Sequence, residues 1–316
     1  MKMRILVTGA NGFIGRHVIA ACHNSDIKAE IHAIRSPFGV PTDRASDKSI
    51  WHTIDLLDLD AVNRVLESVR PTHIIHAAWI TTHGVYWTSA ENKLWLEASI
   101  GLLDGFIRNG GYRFVQIGTC AEYEWSDGKL IEGITPEIPT SLYGQSKLAF
   151  HHVLLDRIKK NKVSAANGRV FYAYGPYENP SRLVPSACRA LIAGNRIEFG
   201  CGSLWRDYMH VADLGTAIIC LARSTMNGAV NLGTGEPVRL SMILELLGKI
   251  SERPELLVLK EYSQDDSTPP ILIADSRRIR SIGWTPSIDI IEGLTATYHW
   301  WKMQLAAQPY QRSKPE

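Results

Sequence analysis

Residues 4–18 read RILVTGANGFIGRHV, and this stretch decides the fold. An apolar run (Ile5 to Val7) stops at Gly9, and an amphipathic pattern begins after Gly12, so a strand, a tight turn and a helix follow one another within 15 positions. Glycines at 9, 12 and 15 have separate tasks in such a turn. Gly9 permits the sharp reversal, Gly12 lets backbone N–H groups approach a pyrophosphate, and Gly15 lets the helix lie close to the strand. The unit is expected to hold a dinucleotide, with Asn11, Phe13 and Ile14 as further loop contacts.

Outward from this turn, short apolar runs alternate with longer helical patterns. EIHAI, THIIHAA and RFVQIGT read as strands, with helices over 59–69, 91–109 and 141–160 between and after them. That alternation implies βαβ units and a doubly wound parallel sheet, an α/β fold with its ligand at the strand carboxyl ends. The grammar changes after Tyr174, where helices over 186–193, 214–222, 241–250 and 290–304 are interleaved with WRDYMHVADL and a strand-like VNLG. Residues 1–174 are therefore expected to form the dinucleotide domain. Residues 175–307 are expected to form mainly a smaller substrate lobe, with some segments returning to the first domain, and 308–316 a frayed tail.

The second strand ends Ala33-Ile34-Arg35-Ser36. A carboxylate at this point would bond the ribose 2′-hydroxyl of NAD, and none is present. Arg35 and Ser36 suit a 2′-phosphate, with Arg16 as a second cation, so NADP is expected in preference to NAD.

Composition narrows the classes. The 316 residues carry 34 basic and 32 acidic side chains, so no large field draws the chain to nucleic acid or an anionic membrane. No stretch approaches the ~20 apolar residues of a membrane span, and no secretory leader is evident, so a cytoplasmic enzyme is expected. Five scattered cysteines, Cys22, Cys120, Cys188, Cys201 and Cys220, form no CxxC pair, so neither a disulfide framework nor a metal site is expected.

Tyr143-Gly144-Gln145-Ser146-Lys147 sets a phenol and an amine four apart on one helix face. A tyrosine that exchanges protons near neutrality needs its pKa of about 10 lowered by ~2 to 3 units. The Lys147 ammonium and an oxidised nicotinamide carry charge of the right sign. Thr119, ending RFVQIGT, could hold a substrate oxygen against Tyr143.

TGANGFIG, Asp55-Leu56, HAA (His76 to Ala78), Thr119 four before Tyr123, YGQSK, RVFYAYGP, RDYMHV and NLGTGEP occur in the order of the extended short-chain dehydrogenase/reductase family, which the chain resembles from residue 4 to about residue 301. The resemblance implies a Rossmann-like domain, a sugar-nucleotide lobe and a catalytic set that falls on Thr119, Tyr143 and Lys147. It also implies that Asp55 and Leu56 flank the adenine, that Ala77 and Ala78 line the cofactor, and that Phe171 lies near the nicotinamide. Arg206 corresponds to a diphosphate-gripping arginine, and Arg182 to Val184 to a base-contacting loop, while Tyr172 replaces the asparagine of the RxFN pattern.

Departures from the family pattern bear on the reaction. Dehydratases of the family carry Asp-Glu after the threonine, where this chain has Cys120-Ala121, so elimination of water is not expected. No counterpart of the Cys/His pair of epimerase-reductases is clear, and QDDSTPP lacks the usual substrate-binding arginine. GTCAEYEW resembles members found among deoxysugar reductases. The expected activity is therefore NADPH-dependent reduction of a nucleotide-linked 4-keto-6-deoxysugar, in deoxysugar biosynthesis for a surface polysaccharide or glycosylated product. The alternatives are an NAD-dependent UDP-sugar 4-epimerase and a non-catalytic dinucleotide sensor. The resemblance also implies a homodimer, with Leu94, Leu102 and Phe106 on one helix and Phe150, Val153 and Leu154 on the next supplying apolar surface.

Overall fold

A computed structural model describes residues 2–38, 48–125, 128–200, 202–260 and 269–307. Cys201 and the expected tail at 308–316 lie outside the described residues, as does most of QDDSTPP. Seven strands form one parallel sheet: β1 (Met3–Thr8), β2 (Ala29–Arg35), β3 (Ile50–Thr53), β4 (His73–His76), β5 (Arg113–Thr119), β6 (Ser164–Val170) and β7 (Gly228–Leu232). Their order is β7-β6-β5-β4-β1-β2-β3. The order reverses direction beside β1, between β2 and β4, and a crevice opens there at the carboxyl ends.

Helices cover both faces. On one side α1 (Phe13–Asn24) packs with α6 (Val211–Arg223), and Ile5 and Val7 meet Val18, Leu214 and Ile218. On the other, α2 (Leu59–Val69), α3 (Glu91–Arg108) and α4 (Leu142–Lys160) cover Leu6 and Ile34 with Leu66, Phe106 and Phe150. The alternation of Ile5, Leu6 and Val7 between the clusters is the two-residue period of a strand buried on both faces. Each such side chain contributes roughly 1.5 to 3 kcal/mol of burial. Helix α2 starts where Asp58 accepts the N–H groups of Asp60 and Ala61, both at 3.0 Å, and stops at Arg70 in the left-handed region.

The smaller lobe gathers α5 (Leu183–Ala193), α7 (Leu240–Ser251) and α9 (Ile290–Ala307) around Val184, Leu191, Leu244, Leu247 and Trp301, with the short α8 (Arg277–Ser281) nearer the sheet. Four short strands (Gly128–Leu130, Trp205–Arg206, Val238–Arg239 and Ile271–Ala274) form a second sheet beside it. Helix α5 begins three residues before the expected Ser186, because Pro185 sits in the first turn, where no N–H is required. Strand β3 and the polar β6, SAANGRV, have no apolar alternation to announce them.

Four of the six residues expected to face a second copy are used within the chain. Leu102, Phe106, Phe150 and Leu154 are buried, since α3 and α4 turn that stripe to the sheet, and Leu94 alone is substantially exposed. Among the described residues no helix is long and apolar enough to cross a membrane, and no group of three acidic, histidine or cysteine side chains could hold a metal.

Candidate functional site

The β1 turn is built as tightly as its glycines require. Gly9 has φ +62°, and a Cβ there would stand 2.8 Å from the backbone nitrogen of Ala78. A Cβ on Gly15 would collide with the Gly9 carbonyl. Gly12 donates its N–H to that carbonyl at 2.9 Å and caps α1 with no side-chain oxygen. The first turn of a 12-residue helix is thus left uncapped by the chain's own side chains, which fits the pyrophosphate of a dinucleotide. Ala77 and Ala78 follow β4 against this turn, and the Thr8 hydroxyl accepts from the Ala78 N–H at 3.3 Å.

At the end of β2, Arg35 donates from Nε to the Thr53 hydroxyl at 2.9 Å, and its guanidinium carbon is 5.7 Å from the Trp51 ring centroid. Ser36 is exposed and accepts the Phe38 N–H at 3.2 Å. Arg16 is engaged elsewhere: it lies 3.8 Å over the Tyr177 ring and donates to the Asn11 and Gly12 carbonyls. Asp55 accepts the Leu57 N–H at 3.0 Å, and Leu56 is buried in the sheet's second core.

Thr119, Tyr143 and Lys147 come together where β5 ends beneath the start of α4. Thr119 is buried and accepts the Ala121 N–H at 3.2 Å, while its own N–H goes to Glu122 Oε1 at 3.0 Å. The Tyr143 phenol lies beside the Thr119 side chain, which pulls its pKa down. Its ring meets Tyr86 and Trp87 edge-on, at 4.9 and 5.7 Å between centroids. Desolvation raises the Tyr143 pKa, nearby Tyr86 and Glu122 add to the rise, and the Thr119 side chain opposes it.

Lys147 Nζ donates to the Ile117 carbonyl at 2.9 Å and lies 3.9 Å from the Trp79 ring centroid. Burial pulls its ammonium down to about 7. Drawn to that carbonyl and indole, Nζ lies 5.9 Å from the Tyr143 ring centroid. His76, bonded to Thr8 at 2.7 Å and Ser99 at 2.8 Å, is pulled down to about 3 by burial and then by Lys147, so it is a neutral strut.

The substrate side is aromatic and cationic. Arg182 donates to the Tyr86 hydroxyl at 3.1 Å. Arg206 is buried, donates from Nη1 to the carbonyls of Trp205 (2.7 Å) and Pro270 (3.1 Å), and holds its guanidinium carbon 5.8 Å from the Tyr172 ring centroid. Its acidic neighbours in sequence are committed elsewhere, Asp207 to Thr234, Gly235 and Ala274, and Asp213 to Ser287 and Ile288. Val184 is buried in the lobe core, so the ligand contact expected of it is not shown. Phe171, at the end of β6, packs with Cys120 and Tyr172, and burial pushes the Cys120 thiol up to about 12.

Tyr86, Trp79 and Glu122 border this corner and have no motif of their own. The available signals were two aromatics in a polar loop and an acid within a turn of small residues.

A family model described as "NAD dependent epimerase/dehydratase family" matches residues 5–233. The chain is 25% identical to a UDP-glucose 4-epimerase of Azospirillum brasilense, over 99% of this chain and 95% of that protein. It is 23% identical to GDP-mannose 3,5-epimerase 1 of Oryza sativa subsp. indica, over 98% of this chain and 84% of that one. Its fold matches the crystal structure of a UDP-glucose 4-epimerase with UDP-glucose from Thermotoga maritima at a TM-score of 0.84 and 22% identity, covering 96% of this chain and 100% of the other.

Proposed function

The chain belongs to the NAD-dependent epimerase/dehydratase family of enzymes, and from that premise we propose that it inverts C4 of a UDP-linked hexose. One observation carries the reading. Tyr143, in the first turn of α4, stands beside Thr119 at the end of β5, while the positions after Thr119 hold a buried, unreactive thiol (Cys120) and a methyl (Ala121). A site of this kind moves one proton at one carbon and has no second acid or base for elimination. The UDP-sugar 4-epimerases among its relatives favour inversion over the ketoreductase expected from GTCAEYEW.

NAD, when bound, would supply hydride transfer at C4. Tyr143 Oη takes the proton of the C4 hydroxyl and gives it back when the opposite face is presented. Thr119 Oγ1 holds the same oxygen, and Lys147 Nζ would hold the nicotinamide ribose. Arg206 would grip the diphosphate, with Arg182 on the nucleoside side. A second reading, NADPH-dependent reduction of a 4-keto-6-deoxysugar, is favoured by Arg35 standing where NAD sites carry a carboxylate.

Incubation of the purified protein with UDP-glucose distinguishes them. Epimerisation yields UDP-galactose with no net change in reduced-nicotinamide absorbance. Consumption of NADPH in proportion to product from a 4-keto sugar, with UDP-glucose unchanged, would overturn the epimerase in favour of the reductase.

A further inference from the structure

Behind the Thr119 turn lies a charged layer that the proposed chemistry does not use. Glu122 and Arg169 are fully buried and paired at 2.8 Å, with Arg169 Nη2 reaching on to Glu137 at 2.6 Å. Glu122 Oε2 also accepts Asn167 Nδ2 at 2.6 Å, while Oε1 accepts the Thr119 N–H at 3.0 Å, closing a capping box around the Thr119–Glu122 turn. Asn167 and Arg169 come from β6, and Gln116 on β5 donates to the Lys147 carbonyl of α4 at 3.1 Å. The layer thus touches the backbone at Thr119 and lies under the helix that carries Tyr143 and Lys147.

A stability role accounts poorly for this arrangement. Replacing a buried ion pair by packed apolar residues is often neutral or stabilising. This layer also leaves Gln116 Oε1, Asn167 Oδ1, Arg169 Nη1 and His151 Nδ1 without a hydrogen-bond partner among the described residues. Unpaired buried polar atoms cost free energy, so a layer that carries four of them is a poor source of stability.

We infer that Glu122 is a positioning residue of the reaction, fixing the Thr119 turn through its backbone and supplying the buried negative charge beneath the Tyr143–Lys147 pair. The inference rests on those three residues being the reacting groups. The titratable neighbours of Tyr143 and Lys147 are His76 on β4, Tyr86 beyond it, and Cys120 and Glu122 after β5. Glu122 itself is faced by Arg169 and Tyr123, by His151 of α4 and, through Arg169, by Glu137. Burial lowers Lys147 and Glu122 opposes that lowering, so loss of the carboxylate should let the amine deprotonate at lower pH.

Geometry and charge separate in two substitutions. Glu122→Gln keeps the acceptor for the Thr119 N–H and removes the charge, and Glu122→Asp keeps the charge and shortens the reach. NADH affinity, followed against pH by tryptophan fluorescence, reads the Lys147 titration without any sugar substrate. A wild type that leaves UDP-glucose untouched therefore counts against the epimerase alone. Glu122→Gln is expected to move the midpoint of the affinity profile down by about half a pH unit or more, a threefold change in proton affinity, whereas Glu122→Asp keeps the wild-type midpoint.

If Glu122→Gln does not fold, the double variant Glu122→Gln/Arg169→Gln removes both buried charges together. It should show a shift in the same direction, reduced by the loss of the Arg169 charge, because Glu122 is the charge that holds Lys147 up. A Glu122→Gln or double-variant midpoint that superposes on wild type, with thermal stability alone reduced, makes Glu122 a structural residue and overturns the inference. So does a wild-type profile with no midpoint.

Discussion

At the reacting end of the cofactor crevice, Thr119 and Lys147 are buried and each side chain has a partner fixed by the fold. At the end of β2, where the adenosine is proposed to lie, Arg35 and Ser36 stand toward the edge of the sheet, and among the described residues Arg35 bonds one hydroxyl, that of Thr53 on the edge strand β3. A group in the first region cannot change without disturbing the β5 turn or α4. A group in the second can be exchanged with little cost to the fold, since surface substitutions away from special features usually stay within ~0.5 kcal/mol. On the proposed reading, identity of the chemistry is held in packed structure, and choice of cofactor rests on side chains at the rim.

The largest effect expected is from Tyr143→Phe. The ring keeps its edge-on contacts with Tyr86 and Trp87 and loses only the phenol, so cofactor affinity should stay near wild type while turnover falls ~10²-fold or more. Single-turnover kinetics with UDP-glucose would measure it. Turnover within a few-fold of wild type would break the comparison at its stronger end, because the best-held group in the crevice would then not be the reacting one.

The same contrast decides what could be read from sequence. The glycine turn, the strand-end threonine and YGQSK were legible because each needs particular residue types at fixed spacing, and α2 lies where its apolar stripe and Asp58 cap place it. The ion-pair layer was not legible. Glu122, Asn167 and Arg169 look like surface residues in GTCAEYE and SAANGRV, and only the pairing of β5 with β6 brings them face to face. The direction in which Lys147 points was equally hidden, since helix spacing fixes a face but not which carbonyl, here that of Ile117, will receive the ammonium.

An intermediate effect is expected at the rim. A guanidinium on a 2′-phosphate contributes ~1.5 to 3 kcal/mol, so Arg35→Ala should raise the dissociation constant for NADPH by roughly ten- to a hundred-fold while leaving NADH nearly unchanged. Thermal stability should move little, because among the described residues the side chain gives up one bond to Thr53 and a ring contact with Trp51. Equal weakening of both cofactors, or tighter NADH binding by wild type, would assign Arg35 to the sheet edge and remove a feature that favours the reductase.

The smallest effect sharpens the comparison by testing a group that fits neither region. Glu178 is buried like the reacting corner, yet its Oε2 has no hydrogen-bond partner among the described residues. Burial raises its carboxyl from 4.5 to about 8, against the opposing pull of Arg182. The folded state thus holds this proton more tightly than the unfolded chain does. The stabilisation is complete below the unfolded value of 4.5 and is lost as pH rises through about 8. Denaturant unfolding at pH about 5 and about 9 should show wild type losing roughly 1 to 3 kcal/mol more than Glu178→Gln over that interval, since an amide has no proton to release. Identical losses in the two proteins would mean that Glu178 is solvated or paired in solution, and that burial on the substrate side is as permissive as the Arg35 rim.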